Sequence, residues 1–287
     1  MWVRHHRFFF GLPQRKDFGT LVNTHRPHSY WLLDEAHPMD LALVVFSLVA
    51  TFLAAALTVP AGFGLATMIT PVVFLWLDPH EAVAVVAIVH GSHNAWKLKV
   101  LRESVDCTSV RRFGWAMVVG ALIGASLNTA VEAEPLLLIV GIALVVLPLL
   151  SITEGWTNFR LPEAEDRIGG FGSGFFGGLT GHQGALRAMF LQKRLPDKAE
   201  YAATAAVLAL VVDLTRIPVY VALEGWQILD AGWLILGLVL AAVLGVQLGK
   251  RWLKKWKSDT IRNGILIAIV ASGLMYIREA ALALGWI

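Results

Sequence analysis

The placement of ionised residues constrains this chain more than any other feature. Nothing charged separates Asp40 from Asp78, and Phe113–Val131, Pro135–Thr153 and Ile168–Leu186 are likewise free of Asp, Glu, Lys and Arg. A membrane-crossing helix needs about 20 mainly apolar residues, because only a backbone that satisfies its own hydrogen bonds survives in hydrocarbon. Ala82–Trp96, Ala199–Val221, Ala231–Gly249 and Asn263–Ile277 are further candidate spans. Composition agrees: 56% of the 287 residues are hydrophobic, 16% are charged and mean hydropathy is +0.64. Soluble domains run at about 45–50% apolar and about 25% charged. A water-soluble enzyme and a secreted module are thereby excluded. One cysteine, Cys107, leaves no disulfide framework or multi-thiolate metal site, and a net charge of +3 gives no reason to expect nucleic acid.

Two stretches break the spans. Pro60-Ala61-Gly62-Phe63-Gly64 and then Pro71 interrupt the first uncharged run, since proline removes a backbone donor and glycine weakens a helix. The expected result is a full or partial span at Leu41–Val59 and a shorter helix within Gly62–Leu77. The glycines from Gly169 to Gly184 produce the same pattern later, two helices of about a dozen residues each. Each break reads as a re-entrant hairpin. The fold class is therefore an all-α polytopic membrane protein with seven or eight crossings, the number depending on whether Leu41–Val59 crosses.

Four segments follow. Residues 1–40 form a basic, His-rich arm carrying Arg4, Arg7, Arg15, Lys16 and Arg26, without a signal-peptide pattern, expected on the cytoplasmic membrane face. Residues 41–153 form a first membrane repeat, 154–167 a linker and 168–287 a second repeat. A shift of 118 positions sets Leu77 on Leu195, Ala84 on Ala202, and Gly114-Trp115 on Gly232-Trp233. Matched loops carry opposite charge. Lys97, Lys99, Arg102, Arg111 and Arg112 correspond to Glu224 and Asp230, whereas Glu132 and Glu134 correspond to Lys250, Arg251, Lys254, Lys255 and Lys257. Basic loops stay in the cytoplasm. Matched loops then lie on opposite sides, which makes the repeats inverted, an arrangement of secondary transporters.

The second broken element reads Gly172-Ser173-Gly174-Phe175-Phe176-Gly177-Gly178-Leu179-Thr180-Gly181, followed by Gln183-Gly184, Leu195-Pro196, Lys198-Ala199 and Ala202-Ala203-Thr204. In these motifs the chain resembles the TauE/SafE (sulfite exporter) permease family over about residues 45–280. His182-Gln183 interrupts the family's glycine triplet, Met189 stands where a proline is usual, and Arg187 is an added charge. The resemblance implies a secondary carrier of sulfite, sulfonates or related small anions, working in the bacterial inner membrane without a cofactor.

An anion leaving water needs donors, and the N-terminus of a half-helix offers free N–H groups and a positive dipole end. Gly62, Gly64, Gly181 and Gly184 are the candidate backbone contacts, against a simpler role in the turn or in helix packing. Arg187 falls one turn past Gln183 on the same helix face and can pair with a sulfonate or carboxylate; the competing reading sends it to the cytoplasmic surface. His182 is a pH-sensitive donor or else a cap of the turn. His90, His93, Asn94 and Lys97 form an i, i+3, i+4, i+7 stripe, suited to a proton relay or substrate lining, or to interhelical hydrogen bonding with Lys97 in the headgroups. No third ligand accompanies the two histidines, so no metal is expected. Asp213 and Arg216 are spaced to pair, with a coupling carboxylate as the other role. Thr204 lines the cavity or bonds back to its own helix.

Transport of a small anion, with or without proton coupling, is the leading function, and the bilayer and the anion are the expected partners, with self-association open. An anion channel and a membrane-embedded enzyme using the His90/His93 face are the alternatives. The enzyme lacks a nucleophile–base pair that the sequence places together.

Overall fold

The computed structural model describes residues 41–61, 64–77, 79–153, 165–195, 197–224, 232–253 and 258–286. The arm at 1–40, Gly62 and residues 154–164 of the expected linker lie outside the described residues. Within them the chain is helical, without strands: α1 Leu41–Ala61, α2 Leu65–Val73, α3 Pro79–Leu101, a 3₁₀ turn Arg102–Ser104, α4 Cys107–Ala130, α5 Ala133–Thr153, α6 Glu165–Thr180, α7 Gly184–Arg194, α8 Lys198–Glu224, α9 Gly232–Leu253 and α10 Ser258–Ala283. Among the described residues four helices are long and apolar enough to cross a membrane, α1, α4, α8 and α9, and a shorter apolar stretch covers Ala133–Val146 of α5. At 23 residues α3 is as long. Its stripe of His90, His93, Asn94 and Lys97, together with Ser92, costs it the apolarity.

Both breaks fall where glycine clusters. The second is sharp: α6 ends at Thr180, Gly181 takes φ +84°, and α7 starts at Gly184. A left-handed residue stops a helix, and glycine adopts that conformation without a Cβ clash. At the first break, Gly64 caps α2 in an extended conformation. Pro71 does not interrupt α2 as expected; it sits in the helix, which ends two residues later at Val73. α6 begins at Glu165, within the last residues of the segment expected as a linker.

Glycines set the helix crossings. α6 lies along α4, α9 along α1, α10 along α5, and α8 crosses α3. At the α4/α6 contact a Cβ on Gly174 would stand 2.7 Å from Met117 Cα, one on Gly178 2.7 Å from Ala125 N, and one on Gly120 2.8 Å from Phe175 N. Gly170, Gly174 and Gly178 thus form a four-residue ladder that lets two backbones touch, the small-residue packing of membrane helices. Gly245 and Gly249 do the same for α9 on α1, where added Cβ atoms would stand 2.7 Å from Ala55 Cβ and 2.8 Å from Val59 Cγ2. Gly141 and Gly273 face each other across α5 and α10. Outward faces carry Val45, Val49, Leu236, Leu240 and Leu244, large apolar side chains left uncovered. Such a surface suits lipid rather than water.

Candidate functional site at the meeting of two broken hairpins

The tips of the hairpins α1–α2 and α6–α7 converge. A Cβ built on Gly64 would lie 3.7 Å from Gly184 Cα and 3.7 Å from His90 Nε2. Gly64 caps α2 and Gly184 opens α7, so two helix N-termini arrive at one place. Free N–H groups and the positive ends of both dipoles gather there. Gly181 belongs to the same turn and is buried with Gly184.

α7 contributes the polar side chains. Gln183 caps it, and Arg187, one turn on, donates from Nη1 to Gln183 Oε1 at 3.2 Å. Both are buried, and Arg187 is only 3% exposed, which removes the expectation that it reaches the cytoplasmic surface. His182 is buried too. Thr180 Oγ1, not the His182 ring, serves the turn, accepting from His182 N–H at 3.4 Å. Both His182 ring nitrogens, Gln183 Nε2 and Arg187 Nε are buried without a hydrogen-bond partner. Buried polar groups are nearly always paired, so the unpaired donors around this turn, Arg187 Nε, Gln183 Nε2 and the N–H of the His182 ring, mark a place for an acceptor.

α3 and α8 form the opposite wall. Gly91 lets them approach: its Cβ would stand 3.3 Å from Asp213 Cβ. His90 Nδ1 therefore reaches Asp213 Oδ2 at 2.7 Å. Arg216 donates from Nε and Nη2 to Asp213 Oδ1 at 3.0 and 2.7 Å, and from Nη1 to Gly177 O at 2.6 Å. The rest of the stripe is inside as well. His93 Nε2 lies 3.4 Å from Thr58 Oγ1, and Asn94 Nδ2 donates to His90 O at 2.8 Å. Lys97 is 5% exposed and lies within electrostatic range of Arg187, so it is not a headgroup lysine. Thr204 stands apart from this cluster in its bonding, since its Oγ1 accepts from the Asp106 N–H at 2.9 Å and so ties α8 to the turn before α4.

Charge is unbalanced here. Among the described residues the buried ionisable side chains other than histidine and tyrosine are Lys97, Arg187, Arg216 and Asp213, three basic groups against one carboxylate. Buried cations at membrane depth are costly and point to function. No cluster of three or more His, Cys, Asp or Glu that could hold a metal ion occurs among the described residues.

Sequence reasoning missed the groups that hold the turn. Asn128 Nδ2 donates to Leu179 O at 2.8 Å, Tyr220 Oη donates to Gly178 O, and Ser173 Oγ donates to Gln183 O at 3.0 Å. Asn128 was visible as the amide inside an uncharged span, and Tyr220 as the residue one turn beyond Arg216. Ser173 sat unmarked among glycines.

No match was found among curated proteins or among solved structures. The sequence profile of the sulfite exporter TauE/SafE family matches residues 47–276, a range that contains the tips of both hairpins and every described site residue. The chain is a multi-pass membrane protein and belongs to the sulfite exporter TauE/SafE family of transporters.

Proposed function

We propose that the protein is a secondary transporter of the bacterial inner membrane that carries a small sulfur oxyanion, sulfite or an organosulfonate, and binds it beside the two hairpin tips that meet at Gly64 and Gly184. The observation that carries this reading is the surplus of buried positive charge beside four unpartnered nitrogens, where two helix N-termini meet. A tetrahedral or pyramidal oxyanion has acceptors on several sides. Arg187 Nε, Gln183 Nε2 and a protonated His182 nitrogen approach it from α7, with the N–H groups of both tips around them. Lys97 adds long-range attraction from α3.

Helix pairing supports the inverted repeat. Exchanging α1–α5 for α6–α10 turns the α1/α9 contact into α6/α4, α2/α10 into α7/α5 and α3/α9 into α8/α4, and all of these contacts occur. The α3/α8 and α5/α10 contacts map onto themselves. An axis relating the halves then runs through the site, and rocking one half against the other opens it to alternate sides. The His90–Asp213 contact supports proton coupling, because a buried histidine–carboxylate pair exchanges a proton where an anion next to it alters the local field.

Purified protein in liposomes tests the reading with labelled sulfite, sulfoacetate, thiosulfate and acetate. Uptake of a sulfur anion above that of empty vesicles, lost in Arg187→Ala, is expected. Sulfur-anion flux equal to empty vesicles removes the proposed function.

A further inference from the structure

A broken helix exposes two kinds of backbone group. The N-terminal half-helix beyond the break offers donors, while the helix before it ends in carbonyls that have lost their partners. In broken-helix carriers such carbonyls, with a nearby carboxylate, commonly coordinate the cation that drives transport. Here the last four carbonyls of α6 are Gly177, Gly178, Leu179 and Thr180; Gly177 O still accepts from the Gly181 N–H at 3.1 Å and has its second lone pair to offer, and the nearby carboxylate is Asp213. The arrangement is already filled from within. Arg216 lies between Gly177 O, at 2.6 Å from Nη1, and Asp213 Oδ1, at 2.7 Å from Nη2, and both charged side chains are fully buried. Tyr220 takes Gly178 O and Asn128 takes Leu179 O.

The turn is shaped around this guanidinium. Gly181 has φ +84°, and a Cβ there would stand 3.3 Å from Arg216 Nη1, so a side chain would strain the backbone and crowd the arginine together. Asp213 Oδ2 is occupied by His90, leaving the carboxylate engaged on both oxygens. Three of the four terminal carbonyls and both oxygens of the carboxylate are thus engaged, and the unpartnered side-chain atoms around the turn are all nitrogens.

We propose that Arg216 is a tethered replacement for a coupling cation: its guanidinium fills the pocket formed by the Gly177 carbonyl and the Asp213 carboxylate, so the turn is held in its substrate-binding form without sodium or potassium. The inference builds on the transporter reading, but the pocket can be tested without transport. Arg216 is a positioning residue in this view, acting through Asp213 and α6.

The experiment is thermal unfolding of full-length protein in detergent, wild type beside Arg216→Ala, in choline, sodium, potassium or low-millimolar guanidinium chloride at equal ionic strength. Wild type is expected to unfold at one temperature in choline, sodium and potassium. Arg216→Ala is expected to unfold lower in choline and to regain about 2–4 °C with guanidinium or a small alkali cation, which binds the vacated pocket. Arg216→Gln, which keeps bulk without charge, gives the same comparison if the alanine variant does not fold. A lost packing contact alone would leave both variants indifferent to the cation, and that result overturns the proposal. So does a sodium- or potassium-dependent midpoint in the wild type. Sulfite uptake into liposomes is the separate arm: uptake unchanged when choline replaces sodium is expected, and failure of any uptake counts against the transporter reading while leaving the unfolding result to decide the pocket.

Discussion

Gly64 and Gly184, far apart in sequence, face each other so closely that a Cβ on the first would touch the Cα of the second at 3.7 Å. That is ordinary van der Waals contact, so a methyl group fits and a longer side chain does not. Gly64→Ala is expected to fold and to transport. Gly64→Leu pushes its branch between His90 and Gly184, and uptake is expected to fall at least about tenfold, equivalent to about 1.4 kcal/mol. Uptake at wild-type level in Gly64→Leu would place the substrate elsewhere.

Arg187 separates binding from stability. Its Nε is unpartnered and its guanidinium sits where cations outnumber carboxylates, so folding gains little from its charge. A bound anion gains a charge-assisted contact of about 1.5–3 kcal/mol. Arg187→Ala is therefore expected to weaken sulfite affinity by about 10- to 100-fold while its unfolding temperature holds or rises. Isothermal titration and thermal unfolding on one preparation read both. A large loss of stability with unchanged affinity would make Arg187 a structural residue.

Gly174 tests the helix crossing independently of the site. Its added Cβ would overlap the Met117 backbone, which cannot move without shifting α4. Gly174→Ala is expected to cost about 1–3 kcal/mol by overpacking. Gly114→Ala is the control, since its Cβ would meet only Leu208 Cδ2 at 3.8 Å. Thermal unfolding that ranks the two variants equally would contradict the close contact of α4 and α6.

The broken hairpins were legible because glycine and proline act locally. Gly181 stops α6 by its own backbone preference, whatever surrounds it. Which glycines turn the chain and which admit a neighbour depends on the partner helix, and Gly170, Gly174 and Gly178 looked the same as Gly181 in sequence. Arg187 and Gln183 could be placed on one face because their spacing is one helical turn. Lys97 followed the same periodicity, yet its neighbour Lys99 and the basic turn after it suggested the headgroups. Burial of Lys97 depends on the helices packed around α3, chiefly α8 and α9, which no local pattern reveals. The His90–Asp213 contact joins residues from different halves and needs the α3/α8 crossing at Gly91 to exist.

Thr204 and Asp106 yield a prediction that distinguishes a support from a substrate contact. Asp106 caps α4, accepting from Ser109 N–H at 3.0 Å and Thr108 N–H at 3.1 Å, while its own N–H donates to Thr204 Oγ1 at 2.9 Å. Hydrogen bonding from Ser109 first, joined by the Thr108 N–H, holds the Asp106 carboxyl below its usual value. Its folded form is thus more acidic than its unfolded form, and the stabilisation is present above the unfolded value, about pH 4, and lost as pH falls through the folded one. Asp106→Ala is expected to lower stability by about 1 kcal/mol near neutrality, the usual worth of such a cap, and the gap from wild type should close in acid. Thr204→Val removes the acceptor for the Asp106 N–H and should lower the unfolding temperature while sulfite affinity stays unchanged. An affinity loss in Thr204→Val with normal unfolding would instead assign Thr204 to the cavity wall.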